Sequence, residues 1–198
     1  MVSWWESQEE NDRHWRTIVR CYVSTIVAMC CSLAYINRGW WPDAPIDRHL
    51  GVIYYTLWLF VWDDHFDSQD TDPSLPTRSD QLSHVHAKAI EYTKYHLGLS
   101  DLESEPIAPS QYSKIFAEAG TFFRSSMTDT QRTRFLNQIK FYMECSNAHQ
   151  TYLTEGKIPK TRAEYWKMRS GDSAYLTYCA LNEYAYSCQY EVINANTF

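Results

Sequence analysis

Along nearly the whole chain the apolar residues recur at helical rather than alternating spacing, in runs of about 15 to 25 residues separated by polar loops. Few of the 6 glycines and 7 prolines among the 198 residues interrupt those runs. A chain patterned this way cannot bury its apolar face as a sheet, so the fold class is all-α. No repeat, low-complexity tract or inter-domain linker divides it, which makes a single helical bundle over residues 1–198 the economical architecture.

The breaks set the expected elements. A first helical region covers Glu9 to Ile36, and NRGWWPDAP, Asn37 to Pro45, ends it with one Gly and two prolines. A second helix runs from Ile46 to Phe66, and DSQDTDPSLP, Asp67 to Pro76, forms a loop into a third from Thr77 to Leu97. Further helices are expected at Pro109 to Ser126 and Asp129 to Leu153, the latter capped by the side-chain oxygens of Thr128 and Asp129. After the break EGKIPK, Glu155 to Lys160, come two pieces, Arg162 to Met168 and Ala174 to Ile193, with Gly171 permitting the break between them.

Composition removes several functions. The formal net charge is -6 and the basic residues are scattered, which argues against a nucleic-acid surface. The six cysteines (Cys21, Cys30, Cys31, Cys145, Cys179, Cys188) lack CxxC spacing and disulfide-scaffold density, so reduced, mainly buried thiols are expected. The polar, acidic amino terminus does not read as a secretory signal. The apolar stretches Thr25 to Ile36 and Val52 to Trp62 fall short of the roughly 20 residues a membrane helix needs. A cytoplasmic protein with no membrane span is expected, with a homodimer left open. The excess of aromatics, 15 Tyr, 8 Trp and 8 Phe, remains to be explained.

The most informative stretch is LWLFVWDDHFD, Leu57 to Asp67, where three carboxylates end the most apolar helix. Asp63 and Asp67 are i and i+4 neighbours and Asp64 flanks the same rim, so like charges repel one another at the negative end of the helix dipole. A cation reverses both penalties. Magnesium suits the set, being held by one or two carboxylates with waters and phosphate oxygens around it; manganese is the alternative ion. Spacing alone serves a solvated acidic helix end equally well, and Trp58, Phe60 and Trp62 are as natural in a core as in a substrate box.

Asp63-Asp64-His65-Phe66-Asp67 resembles the Asp-Asp-x-x-Asp metal motif of the class I terpene synthases, which follows an aromatic-rich helix. WPDAP, Trp41 to Pro45, is similar to the Trp/Tyr-Pro-x-Ala loop that microbial members carry upstream. Downstream, YWKMRSGDS resembles the family's diphosphate-sensing element, with Arg169, Asp172 and Ser173 at the positions of sensor arginine, linker aspartate and effector. Arg169 and Asp172 alone would read as an i, i+3 surface pair; their order after the acidic motif carries the likeness, which covers about Trp40 to Ser173. A guanidinium grips diphosphate oxygens through several fixed donors, and a neighbouring carboxylate orients it.

The second metal motif, Asn/Asp-Asp-x-x-Ser/Thr-x-x-x-Glu, and the terminal Arg-Tyr pair have no match. The nearest candidate is Glu183, Ser187 and Glu191, which would share one helical face at i, i+4 and i+8. Glu183 replaces the usual Asn/Asp and the segment lies too close to Arg169, so the chain is expected to be truncated before the motif.

The resemblance implies an isoprenoid-pathway lyase that ionises and cyclises a linear prenyl diphosphate, the fifteen-carbon farnesyl substrate first, in a sesquiterpene-type reaction. Asp63, Asp64 and Asp67 would hold the metal, Arg169 would bind diphosphate, and Asp63, Arg169, Asp172 and Ser173 would form the catalytic set. Phe60, Leu59 and Thr56, then Phe122, Phe123 and Tyr142, would line an aromatic cavity for the carbocation. A catalytically inactive fragment and a chain-elongating prenyltransferase are the alternatives.

Overall fold

The computed structural model describes residues 37–68, 78–110 and 112–188. Every regular element among them is α-helical. Residues 37–40 are helical, so the break expected at Asn37 begins after Trp40. Then come α1 (Ile46–Ser68), α2 (Arg78–His96), α3 (Lys114–Ser126), α4 (Asp129–Thr154), α5 (Arg162–Asp172) and α6 (Tyr175–Ala185). The expected helix from Glu9 to Ile36 lies outside the described residues. No helix among the described residues is long and apolar enough to cross a membrane.

The helix ends follow local chemistry. Thr128 caps α4 in a reciprocal box: its hydroxyl accepts from Gln131 N at 3.3 Å, and Gln131 Oε1 accepts from Thr128 N at 2.8 Å. Thr161 and Glu164 repeat the device at the start of α5. α3 begins five residues later than Pro109 because Ser113 N donates to both Ser110 O and Ser110 Oγ, each at 3.2 Å, holding a turn in place of a helix.

Two expectations about the carboxyl-terminal helices are corrected. Gly171 does not break the helix; it lies inside α5, and the break falls at Ser173 and Ala174, where Ala174 takes a left-handed φ of 54°. α6 stops at Ala185 rather than Ile193. Ser187, at φ 51°, sits in a Schellman turn closed by Cys188 N to Glu183 O at 3.1 Å and Ser187 N to Tyr184 O at 3.4 Å. The metal trio proposed on that helix therefore does not share a face. Glu183 is buried and gripped by Arg134 (Nη2 to Oε1 2.6 Å, Nε to Oε2 3.1 Å), Ser187 is past the helix end, and Glu191 lies outside the described residues.

Most of the aromatic excess is core. Tyr55, Trp58 and Trp62 on α1 pack against Phe116 and Phe123 of α3, Phe135 of α4 and Tyr184 of α6. The rings meet edge-on: Trp58 and Phe116 at 5.0 Å and 71°, Tyr55 and Phe135 at 5.0 Å and 68°, Phe123 and Tyr184 at 4.8 Å and 87°. Such pairs add about 0.5–1.5 kcal/mol each beyond burial. Cys145, Cys179 and Cys188 are free and half-buried rather than buried, and the other three cysteines lie outside the described residues.

Residue 171 is a glycine because α5 crosses α4 too closely for a side chain: a methyl there would overlap the thiol and Cβ of Cys145. Alanine is the better helix former by about 1 kcal/mol, but overpacking costs about 1–3 kcal/mol, so Gly171→Ala should lower stability on balance. Gly39→Ala, whose added methyl would meet nothing within 4 Å among the described residues beyond its own stretch of chain, should be neutral or stabilising; urea unfolding of both variants checks the contrast.

His86 is buried beside the Trp62 ring, and that burial lowers its pKa from the ordinary 6.5 to about 4. Between those values the unfolded chain binds a proton that the folded chain refuses. Stability should therefore be unaffected by this residue above pH 6.5 and fall as the pH drops toward 4, by up to about 3 kcal/mol. Urea melts at stepped pH should show a shallower decline for His86→Phe.

Candidate functional site

α1 separates two tasks by face. While Tyr55, Trp58 and Trp62 enter the core, Leu59, Phe60 and Asp63 border a cavity of about 530 Å³, within the range of small-molecule sites. Tyr142, Ser146, His149 and Gln150 of α4 form its second wall. Arg169, Asp172 and Ser173 at the end of α5, followed by Ala174 and Tyr178, form the third. The structure thus gathers Asp63, Arg169, Asp172, Ser173, Leu59, Phe60 and Tyr142, all singled out from the sequence, around one space.

Other sequence candidates fall elsewhere. Phe123 is fully buried in the core and Phe122 stacks on Tyr54 at 6.0 Å, so neither lines the cavity. Their place on α3 directs them at the opposite face of α1. Thr56 stands one layer behind the wall, its hydroxyl accepting from the cavity residue Tyr178 at 3.3 Å. Asp64 is exposed beyond the lining, and Asp67 occupies the last turn of α1 with its side chain outside the described residues.

Asp63 is held by a residue of α4: Tyr142 Oη donates to its Oδ1 at 2.8 Å. Asp172 is the buried group of the site, with a side chain 3% exposed. Its Oδ2 accepts from Arg169 Nη1 at 3.0 Å and also meets His149 Nδ1, while its Oδ1 is buried without a hydrogen-bond partner among the described residues. Arg169 is 42% exposed and is the one lysine or arginine among the described lining residues. Burial raises the pKa of Tyr178, keeping its phenol protonated, and raises that of the neighbouring Cys145 thiol.

His149, Ser146, Gln150 and Tyr178 were not found by sequence reasoning. The signal existed in α4, where Tyr142, Ser146, His149, Gln150 and Leu153 are spaced i, i+4, i+7, i+8 and i+11 and so form one stripe. It mixes polar and apolar residues, which hides it from a search for apolar periodicity.

Among the described residues no three His, Cys, Asp or Glu side chains cluster to cage a metal on their own. The donor chemistry nevertheless fits a hard divalent cation. Asp63 offers a carboxylate on the cavity edge, with the exposed Asp64 next to it in the chain beyond the lining, and magnesium uses one or two carboxylates and leaves its other positions to water and phosphate.

Comparison with known proteins gives three findings. The family model described as terpene synthase family 2, C-terminal metal binding, matches residues 54–197. The chain is similar to sesquiterpene cyclase hepA of Aspergillus oryzae, 31% identical over a 166-residue alignment that covers 77% of this chain and 42% of that protein. Its fold is similar to the crystal structure of germacradien-4-ol synthase from Streptomyces citricolor, with a TM-score of 0.61 and 22% identity over 93% of this chain and 59% of the other. The chain thus spans less than half the length of the curated relative.

Proposed function

The chain belongs to terpene synthase family 2, and on that premise we propose that it binds a linear prenyl diphosphate with magnesium and converts it to a cyclic terpene and diphosphate. Farnesyl diphosphate is the proposed substrate, in line with the sesquiterpene cyclase it resembles. The observation that supports the reading is that Asp63 and the Arg169–Asp172 pair line a single cavity.

Asp63 and Asp64, with Asp67 from the same motif, would hold the cation, and the Tyr142 hydroxyl fixes the Asp63 carboxylate through its hydrogen bond. Bound magnesium would supply positive charge to the diphosphate oxygens while the allylic C–O bond breaks and its electron pair leaves with the diphosphate. Arg169 donates to the same leaving group, its half-exposed guanidinium being free to reach into the cavity from the Asp172 anchor. Ser173 stands beside it at the helix break.

The cation left on the prenyl chain needs walls that exclude water. Leu59 and Leu153 provide apolar surface, and the faces of Phe60, Tyr142 and Tyr178 can stabilise positive charge. Loss of a proton or capture of one water then completes the product.

Incubation of the full chain with farnesyl diphosphate and magnesium, followed by diphosphate release and gas chromatography of volatiles, tests the reading. Release should require the metal and vanish with a chelator. Asp63→Asn and Arg169→Gln should each lower kcat/KM by about 100-fold or more, about 2.7 kcal/mol of transition-state stabilisation. Tyr142→Phe should raise the magnesium needed for half-maximal rate with a smaller fall in kcat. Absence of release from every prenyl diphosphate tried would overturn the proposal.

A further inference from the structure

The Asp172 carboxylate is almost fully buried, one of its oxygens has no partner among the described residues, and the other is shared between Arg169 and a histidine from a different helix. A carboxylate only accepts hydrogen bonds, so His149 Nδ1 carries the hydrogen at that contact. If Arg169 turned toward an anion in the cavity and Asp172 had no second donor, a buried charge would be left unsatisfied, which is costly.

We propose that His149 is a positioning residue that keeps Asp172 satisfied while Arg169 transfers its donors to a diphosphate group. The inference rests on the assignment of Arg169 as the diphosphate ligand. His149 is built for the task. It is four residues from Cys145, whose thiol is wedged against Gly171, so successive turns of α4 meet Gly171 and Asp172. Its side chain is 18% exposed, whereas that of Arg169 is 42% exposed. The less exposed histidine is thus the partner suited to stay with the carboxylate, and the more exposed arginine the one with room to leave it. The shared Oδ2 lets the carboxylate pass from two donors to one without turning.

The role predicts coupling that a merely structural contact lacks. Calorimetric titration of inorganic pyrophosphate with magnesium into the full chain gives the readout, with thermal unfolding used to confirm that each variant is folded. Wild type should bind, and Arg169→Gln should bind at least about tenfold more weakly, a difference of about 1.4 kcal/mol. His149→Phe, which fills the space but donates nothing, should also lose about tenfold, whereas His149→Asn, which places an amide donor near the Nδ1 position, should stay within about threefold. In an Asp172→Asn background the His149→Phe change should have almost no effect, because no buried charge then needs the donor.

If His149→Phe does not fold, His149→Ala with added imidazole replaces it, and imidazole should restore affinity. Wild-type affinity in His149→Phe, or an equal loss with and without Asp172→Asn, would overturn the inference while leaving the site's assignment intact. A wild-type chain that binds no pyrophosphate would overturn the assignment and the inference together.

Discussion

The cavity depends on how closely α5 can approach α4, and that approach is set by a side chain that is missing. Gly171 lets the α5 backbone lie against the Cys145 thiol. The neighbouring residue, Asp172, is thereby pressed into the space between the helices and meets His149 one turn along. With a larger residue at 171 the helices would separate, and the carboxylate would be hydrated instead of buried. Arg169, one turn back, would then be an ordinary surface arginine. The close crossing converts an i, i+3 pair, which on a solvated helix adds only a few tenths of a kcal/mol, into a partly desolvated site.

The same economy appears in α1, where adjacent residues face different surroundings. Trp58 and Trp62 are one turn apart on the core face, and Leu59 and Asp63 are one turn apart on the cavity face. Rigid edge-to-face packing of the core rings fixes the rotation of α1 about its axis, and the position of Asp63 follows from it. The described aromatic side chains of this helix therefore serve positioning more than cation stabilisation, for which Phe60 alone among them borders the cavity.

What the sequence revealed and what it concealed divide along chain separation. Interactions within a few residues were legible: the Thr128 cap, the break at EGKIPK, the acidic end of α1, and the run from Arg169 to Ser173. Contacts between distant segments were not. Glu183 reads as a metal ligand until Arg134, 49 residues earlier, is found to neutralise it. Gly171 reads as a helix breaker because a glycine needed for close packing looks the same in sequence as one needed for a turn. The turns that do occur there fall to Ala174 and Ser187, residues with no special freedom at positive φ, so local propensity gave no warning.

The WPDAP segment, a slight likeness when taken alone, gains a physical role from the same kind of distant contact. Trp41 is buried; its indole nitrogen donates to Asn182 Oδ1 at 2.6 Å, and its ring stacks on Tyr178 at 6.3 Å and 19°. Tyr178 in turn donates to Thr56 on α1 and borders the cavity. One tryptophan before α1 thus ties α6 to the loop and sets a wall residue of the cavity that Asp63 also borders. The prolines on either side of that turn limit its backbone freedom, so less entropy is lost in holding the tie. The loop acts on the cavity from behind, through the position of Tyr178, without lining it.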